Sequence, residues 1–150
     1  VLARSPGPLV VRDYAHTPDG MKRALEALRS LTDGSLTVVF GCGGDRDRSK
    51  RPLMGDAAVS LADRVMITTD NPRTEDPHRI FEDITAGLNP AGFEVIEDRA
   101  RAIEQAILAA GAGDVVLLAG KGHETYQDVR GTKLPFDEVA IVGALTERLT

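Results

Sequence analysis

The chain has one cysteine, Cys42, among its 150 residues. That excludes an internal disulfide framework and any zinc site built from several thiolates, and it fits a reducing compartment, the cytoplasm. Excess positive charge is also lacking, since 18 lysines and arginines stand against 23 aspartates and glutamates for a formal net charge of -5. General affinity for nucleic acid or for an anionic membrane needs the opposite sign, so neither is an expected partner, although a local basic patch can still hold an anion. No apolar run is long enough to span a bilayer, and the opening Val1 to Pro6 lacks the charged-then-apolar order of a secretory signal. An initiator methionine is missing too, from which a piece of a longer polypeptide is expected.

What is present suits one domain: 42% of the residues are hydrophobic, enough for a continuous core in a chain of this length. Short β-branched runs recur at Leu9 to Val11, Leu36 to Phe40, Val65 to Thr68, Phe93 to Ile96 and Val115 to Leu118. Little polar alternation interrupts them, which predicts strands buried on both faces. Between them, Met21, Ala24, Leu25, Leu28 and Leu31, and again Ile103, Ala106, Ile107 and Ala110, fall on single helical faces. Thr17-Pro18 reads as an N-cap followed by proline in the first turn, and Asp33-Gly34 as a stop before the next strand. Strand and helix therefore alternate through connections too long for hairpins. This predicts an open, mostly parallel, Rossmann-like α/β sheet with helices on both faces. A short C-terminal hairpin is expected around Val129-Arg130-Gly131-Thr132, and a last helix capped by Asp137.

Ligands of such sheets bind beyond the carboxyl ends of the strands. Four polar loops stand there: Asp13 to His16, Gly41 to Asp47, Thr69 to Arg73 and Gly120 to Glu124. The glycines at 41, 43 and 44 suit a tight turn, but the third glycine of a dinucleotide fingerprint is missing, with Arg46 in its place. Gly120-Lys121 lacks both the earlier glycine and the following hydroxyl residue of a phosphate loop, so it is not a Walker motif. Arg46, Arg48, Lys50 and Arg51 concentrate positive charge that can bind carboxylate or phosphate, or can form a solvated basic loop. His123-Glu124 are adjacent and point apart, which argues against metal ligation by side chains of this chain alone. The stretch Asp70-Asn71-Pro72-Arg73 presents an acceptor, an amide and a guanidinium after a buried strand, a set that suits a zwitterion. An Asx-type turn with a surface arginine uses the same residues.

Taken in series, Asp13-Tyr14-Ala15-His16-Thr17-Pro18-Asp19, Gly43-Gly44-Asp45-Arg46-Asp47 with Lys50-Arg51-Pro52, Asp70-Asn71-Pro72-Arg73, and Gly120-Lys121-Gly122-His123-Glu124 resemble the C-terminal domain of the Mur ligases. The wording is closest to the MurE branch, and the resemblance covers nearly all of residues 1–150.

The resemblance implies one domain of a three-domain, ATP- and magnesium-dependent ligase of peptidoglycan precursor synthesis, with the UDP-sugar domain and the central ATPase domain lying outside this chain. The substrates implied are ATP, UDP-N-acetylmuramoyl-L-alanyl-D-glutamate and meso-diaminopimelate, joined through an acyl phosphate that the amine attacks. It also implies nucleotide-facing roles for Asp13 and His16, and an amino-acid pocket formed by Arg46, Asp70, Asn71, Pro72, Arg73, Gly120 and Glu124. Neither a catalytic residue nor a metal ligand is assigned to this chain, which is expected to be a monomer and inactive by itself. Two alternatives stand beside this reading: a non-catalytic nucleotide- or anion-binding module of the same fold, and a related ligase that adds another amino acid.

Overall fold

A computed structural model describes residues 1–4 and 6–149. Its main sheet holds five strands, β1 (Leu9–Asp13), β2 (Leu36–Phe40), β3 (Arg64–Ile67), β4 (Glu94–Val95) and β5 (Val115–Ala119), in the order β1-β5-β2-β3-β4. Every pairing is parallel; Val38, for example, lies between Val65 of β3 and Leu117 of β5. The helices are α1 (Pro18–Arg29), α2 (Lys50–Leu61), α3 (Pro77–Thr85), α4 (Arg99–Ala109) and α5 (Glu138–Leu149), and an antiparallel hairpin of β6 (Tyr126–Val129) and β7 (Thr132–Pro135) follows β5.

The two faces of the sheet build two cores. Leu36, Val38 and Phe40 of β2 point toward Met21 and Leu25 of α1, Met54 of α2, and Ile80 and Phe81 of α3. Val39, Met66, Val116 and Leu118 face Ile103 and Ile107 of α4 and Val142 of α5. Helices thus cover both sides, as expected from strands with little polar alternation. The chain steps across the sheet from β1 to β4 with α1 to α3 on one face. It then crosses back by α4 on the other face to insert β5 between β1 and β2. This reversal makes the loop after β5 leave toward the opposite face from the loops after β1 and β2, which opens a crevice at their shared end.

Local sequence signals account for the element ends. Thr17 Oγ1 accepts from the Gly20 amide with Pro18 in the first turn of α1, and Asp137 Oδ1 accepts from the amides of Val139 and Ala140 at the start of α5. The hairpin turns on Arg130 and Gly131, with φ of 52° and 81°, the left-handed pair that a two-residue turn needs.

One expectation is corrected. The run Phe93 to Ile96 gives a strand of only two residues, and both are exposed. β4 sits at the sheet edge and pairs with β3 alone, so Glu94 is free to meet Arg64 at 2.9 Å, while the apolar signal came from the flanking Phe93 and Ile96, which pack on opposite cores.

A buried ion pair ties the last helix to the sheet. Arg99 of α4 donates from Nε to Glu138 at 3.1 Å and from Nη2 to the Ala119 carbonyl at 3.1 Å, and both side chains are buried. Among the described residues no helix is long and apolar enough to cross a membrane.

Candidate functional site

All five strands run in one direction, so the loops after β1, β2, β3 and β5 share a rim. Their close approach depends on glycine. A side chain at Gly41 would overlap the Thr68 carbonyl and one at Gly44 the Pro72 carbonyl, so the β2 loop lies with its backbone directly on the β3 loop. The Gly44 amide donates to the Asn71 carbonyl at 2.8 Å, which closes that contact.

Within the rim lies a cavity of about 330 Å³ lined by Tyr14, His16, Gly43, Arg46, Lys50, Asp70, Asn71, Arg73, Gly120 and Glu124. Most of the residues singled out from sequence therefore converge: His16, Arg46, Asp70, Asn71, Arg73, Gly120 and Glu124. Two do not line it. Asp13 turns back, its Oδ1 accepting from the Ala15 amide at 2.8 Å, and Pro72 contributes its carbonyl beneath Gly44.

The basic cluster after β2 divides in two. Arg46 and Lys50 line the cavity, and Lys50 Nζ donates to the His16 carbonyl at 2.9 Å, which joins α2 to the β1 loop. Arg48 and Arg51 are neutralised internally. Arg51, fully buried, donates to both carboxylate oxygens of Glu75, to Asp83 and, at 2.9 Å, to the Gly43 carbonyl; Arg48 meets Asp83 in bidentate fashion. Hydrogen bonds from Arg51 hold the Glu75 carboxyl down at about 2. Glu75 also accepts from the Asp45 amide, and Asp45, in the left-handed region at φ 55°, accepts from Thr74. The hydrogen bonds from Thr74 lower the Asp45 carboxyl below its usual range. These contacts lace the β2 and β3 loops together and fix the glycine backbone.

Arg73 occupies an uncommon backbone position, φ 51°. Its amide donates to the Asp128 carbonyl and its own carbonyl accepts from the Arg130 amide, both at 2.9 Å, so the β6–β7 hairpin grips the β3 loop. Its Nη1 donates to the Gly44 carbonyl at 2.9 Å. One fork of the guanidinium is thereby anchored and the rest faces the cavity.

His16 Nδ1 lies 2.9 Å from the Tyr14 carbonyl, which can only accept, so that nitrogen carries a hydrogen. His123 lies outside the lining, with Nδ1 3.4 Å from Arg12 Nη2. Cys42 is buried beside the rim, and desolvation pushes its thiol up to about 12, so it is no nucleophile at neutral pH.

Lys121 is a functional-site residue that the sequence reading misses, because Gly120-Lys121 does not match a phosphate loop. Its side chain is wholly buried under the cavity, 3.0 Å from Asp70 Oδ1. The available signal was its place directly after the apolar strand β5, where a lysine must find buried partners.

The family model described as "Mur ligase, glutamate ligase domain" matches residues 1–122. The chain is 59% identical over 139 residues to the UDP-N-acetylmuramoyl-L-alanyl-D-glutamate--2,6-diaminopimelate ligase of Synechococcus elongatus, covering 92% of this chain and 28% of that protein. It is 56% identical over 133 residues to the enzyme of the same name from Pseudomonas putida, covering 88% of this chain and 27% of that one. A solved structure of a ligase so named superposes with a TM-score of 0.93 at 46% identity, over 98% of this chain and 31% of that one. Escherichia coli FolC in complex with ADP superposes with a TM-score of 0.59 at 21% identity, over 98% of this chain and 30% of that one, a likeness of fold. The chain thus spans somewhat over a quarter of the length of the curated relatives it matches. On the family match over most of its length, the chain belongs to the Mur ligase family, as its glutamate ligase domain.

Proposed function

We propose that this chain is the amino-acid-selecting domain of an ATP-dependent ligase that adds meso-diaminopimelate to UDP-N-acetylmuramoyl-L-alanyl-D-glutamate. The observation that carries the reading is the placing of two guanidiniums, Arg46 and Arg73, with two carboxylates, Asp70 and Glu124, around one cavity. A zwitterion with a second acid group needs such a set: planar forks for carboxylates and acceptors for ammonium. The relatives at 59% and 56% identity are 2,6-diaminopimelate ligases by name, which supports diaminopimelate as that amino acid.

The residues here do not fit a self-contained nucleotide-metal site. Among the described residues no three His, Cys, Asp or Glu side chains are grouped so as to hold a metal ion, and Lys121 is buried rather than presented to a phosphate. Magnesium and the ATP phosphates would be held by other domains of a longer ligase, where they would supply charge neutralisation for phosphoryl transfer. Asp13 and His16 remain the candidates to approach the nucleotide from this side. The domain's own contribution is orientation, holding the amino acid so that its amine meets the activated acceptor carboxyl.

Phosphate release by the full-length ligase, compared with meso-diaminopimelate, L-lysine and L-ornithine as the added amino acid, tests the reading. Release is expected to be strongest with diaminopimelate, whereas equal efficiency with lysine would refute it. The 150-residue chain alone is expected to fold and to form no amide.

A further inference from the structure

We infer that Lys121 is the positioning residue of the amino-acid pocket: a sealed cation that orients Asn71 and holds Asp70 and Glu124 together as an ammonium-binding pair. The inference rests on the reading of the cavity given above.

The ammonium of Lys121 makes two hydrogen bonds and its ion pairs inside the protein. Nζ lies 2.9 Å from Asn71 Oδ1, 2.8 Å from the Tyr126 carbonyl and 3.0 Å from Asp70 Oδ1, with Glu124 Oε1 at 3.5 Å. It is the buried one among the chain's four lysines. An ammonium taken out of water is tolerated only when paired and hydrogen-bonded in this way. Since Nζ is hydrogen-bonded to Asn71 and Tyr126, ion-paired with Asp70, and the side chain is covered, Lys121 does not touch a ligand.

Two consequences reach the cavity. First, Asn71 loses its freedom to flip: Oδ1 accepts from Lys121 and from the Asp128 amide at 3.0 Å, and Nδ2 donates to Glu124 Oε1 at 3.1 Å. Turning the amide over would aim its NH2 at an ammonium and at an N–H. Asn71 is therefore presented to the ligand as a donor, suited to a carboxylate. Second, two carboxylates share one internal cation, which leaves one net negative charge. A single substrate ammonium neutralises that charge. Gly120, at φ 109°, makes room on the other side of Asp70, for a side chain there would come to 3.2 Å from Asp70 Oδ2. Lys121 therefore holds one oxygen of Asp70 from below while the other lies beside the cavity-lining glycine.

The test is Lys121→Met in the full-length ligase, with KM for each substrate measured separately. The expected result is at least a tenfold rise in KM for meso-diaminopimelate with KM for ATP within twofold of the unaltered enzyme. Equal rises in both, or a fall in kcat alone, would assign Lys121 to general folding and overturn the inference.

Should the variant fail to fold, the unaltered 150-residue chain provides the second measurement. In a sample with ¹⁵N-labelled lysine side chains, the shielded ammonium of Lys121 is expected to give a slowly exchanging signal that shifts when meso-diaminopimelate saturates the backbone amides of Asn71 and Gly120. Amides that shift beside an unmoved ammonium would overturn the role of Lys121. Amides that do not shift at all would overturn the reading of the cavity, and the inference with it.

Discussion

The guanidinium of Arg73 rests on Gly43: a side chain built at Gly43 would bring its Cβ to 2.7 Å from Arg73 Nη1. No backbone atom stands in the way there, so the obstructing group is the tip of a flexible side chain. Gly43→Ala is therefore expected to leave the fold intact, with a stability cost of about 1 kcal/mol, the low end for added bulk, while pushing the guanidinium off the Gly44 carbonyl. Affinity for meso-diaminopimelate should fall by about tenfold or more, the equivalent of about 1.4 kcal/mol, because a fork displaced by even 1 Å loses its paired geometry. Calorimetric titration together with a urea melt checks both halves, and unchanged affinity would remove Gly43 from the site.

Arg51 never reaches the cavity, yet the glycine loop depends on it. Removing its guanidinium leaves Glu75 and Asp83 without their shared cation and the Gly43 carbonyl without a donor. Loss of one member of a fully buried charge pair costs about 3–5 kcal/mol, and because Glu75 and Asp83 keep some solvent access and Asp83 keeps Arg48, about 2–3 kcal/mol is expected here. Arg51→Ala should lower the urea midpoint accordingly, and a midpoint within the error of the unaltered chain would show that the network contributes little.

The same network sets an acid limit. The Glu75 carboxyl titrates at 4.5 in a reference peptide and at about 2 in the folded chain, chiefly through hydrogen bonds from Arg51. A depressed carboxyl stabilises the fold above its unfolded value, and that stability is lost as pH falls through the folded one. Between about pH 4.5 and 2 the chain should lose on the order of 2 kcal/mol from Glu75, a figure reduced for the solvent that reaches its side chain. Glu75→Gln should flatten this part of a stability-against-pH curve measured by denaturant melts. An identical acid limb in the variant would place the effect elsewhere.

The sheet was legible because β2, β3 and β5 are continuous apolar runs and because Thr17 and Asp137 announce helix starts. α2 was harder to read: its buried side includes Arg51 and Gly55 beside Met54 and Ala58, so it lacks a clean apolar stripe. Gly55 is there for contact, since a side chain on it would overlap the Ile84 carbonyl of α3. At the site, the convergence of Arg46, Arg73, Asp70 and Glu124 follows from parallel strands ending on one rim. What sequence could not reveal was how charges pair across distant positions. Arg48 and Arg51 read like Arg46, and only their distances to Asp83 and Glu75 separate structural cations from one that faces the cavity.

Arg73→Lys is the sharpest test of amino-acid choice. Both side chains tolerate the φ of 51° equally, so the exchange leaves the backbone cost unchanged and alters only the head group. Arg73 can hold the Gly44 carbonyl with one nitrogen and still offer other N–H groups to a carboxylate. The shorter ammonium of lysine is a point charge without that fork, so it must give up either the loop or the paired geometry. If Arg73 recognises the second acid group of diaminopimelate, selection of the diacid over L-lysine, measured as the ratio of kcat/KM values in the full-length ligase, should fall about 10- to 100-fold, or about 1.4–2.8 kcal/mol. The change should lie in the diaminopimelate value, because L-lysine has no distal carboxylate to lose. A ratio unaltered by the exchange would mean that Arg73 serves the loop alone and that discrimination resides in Arg46.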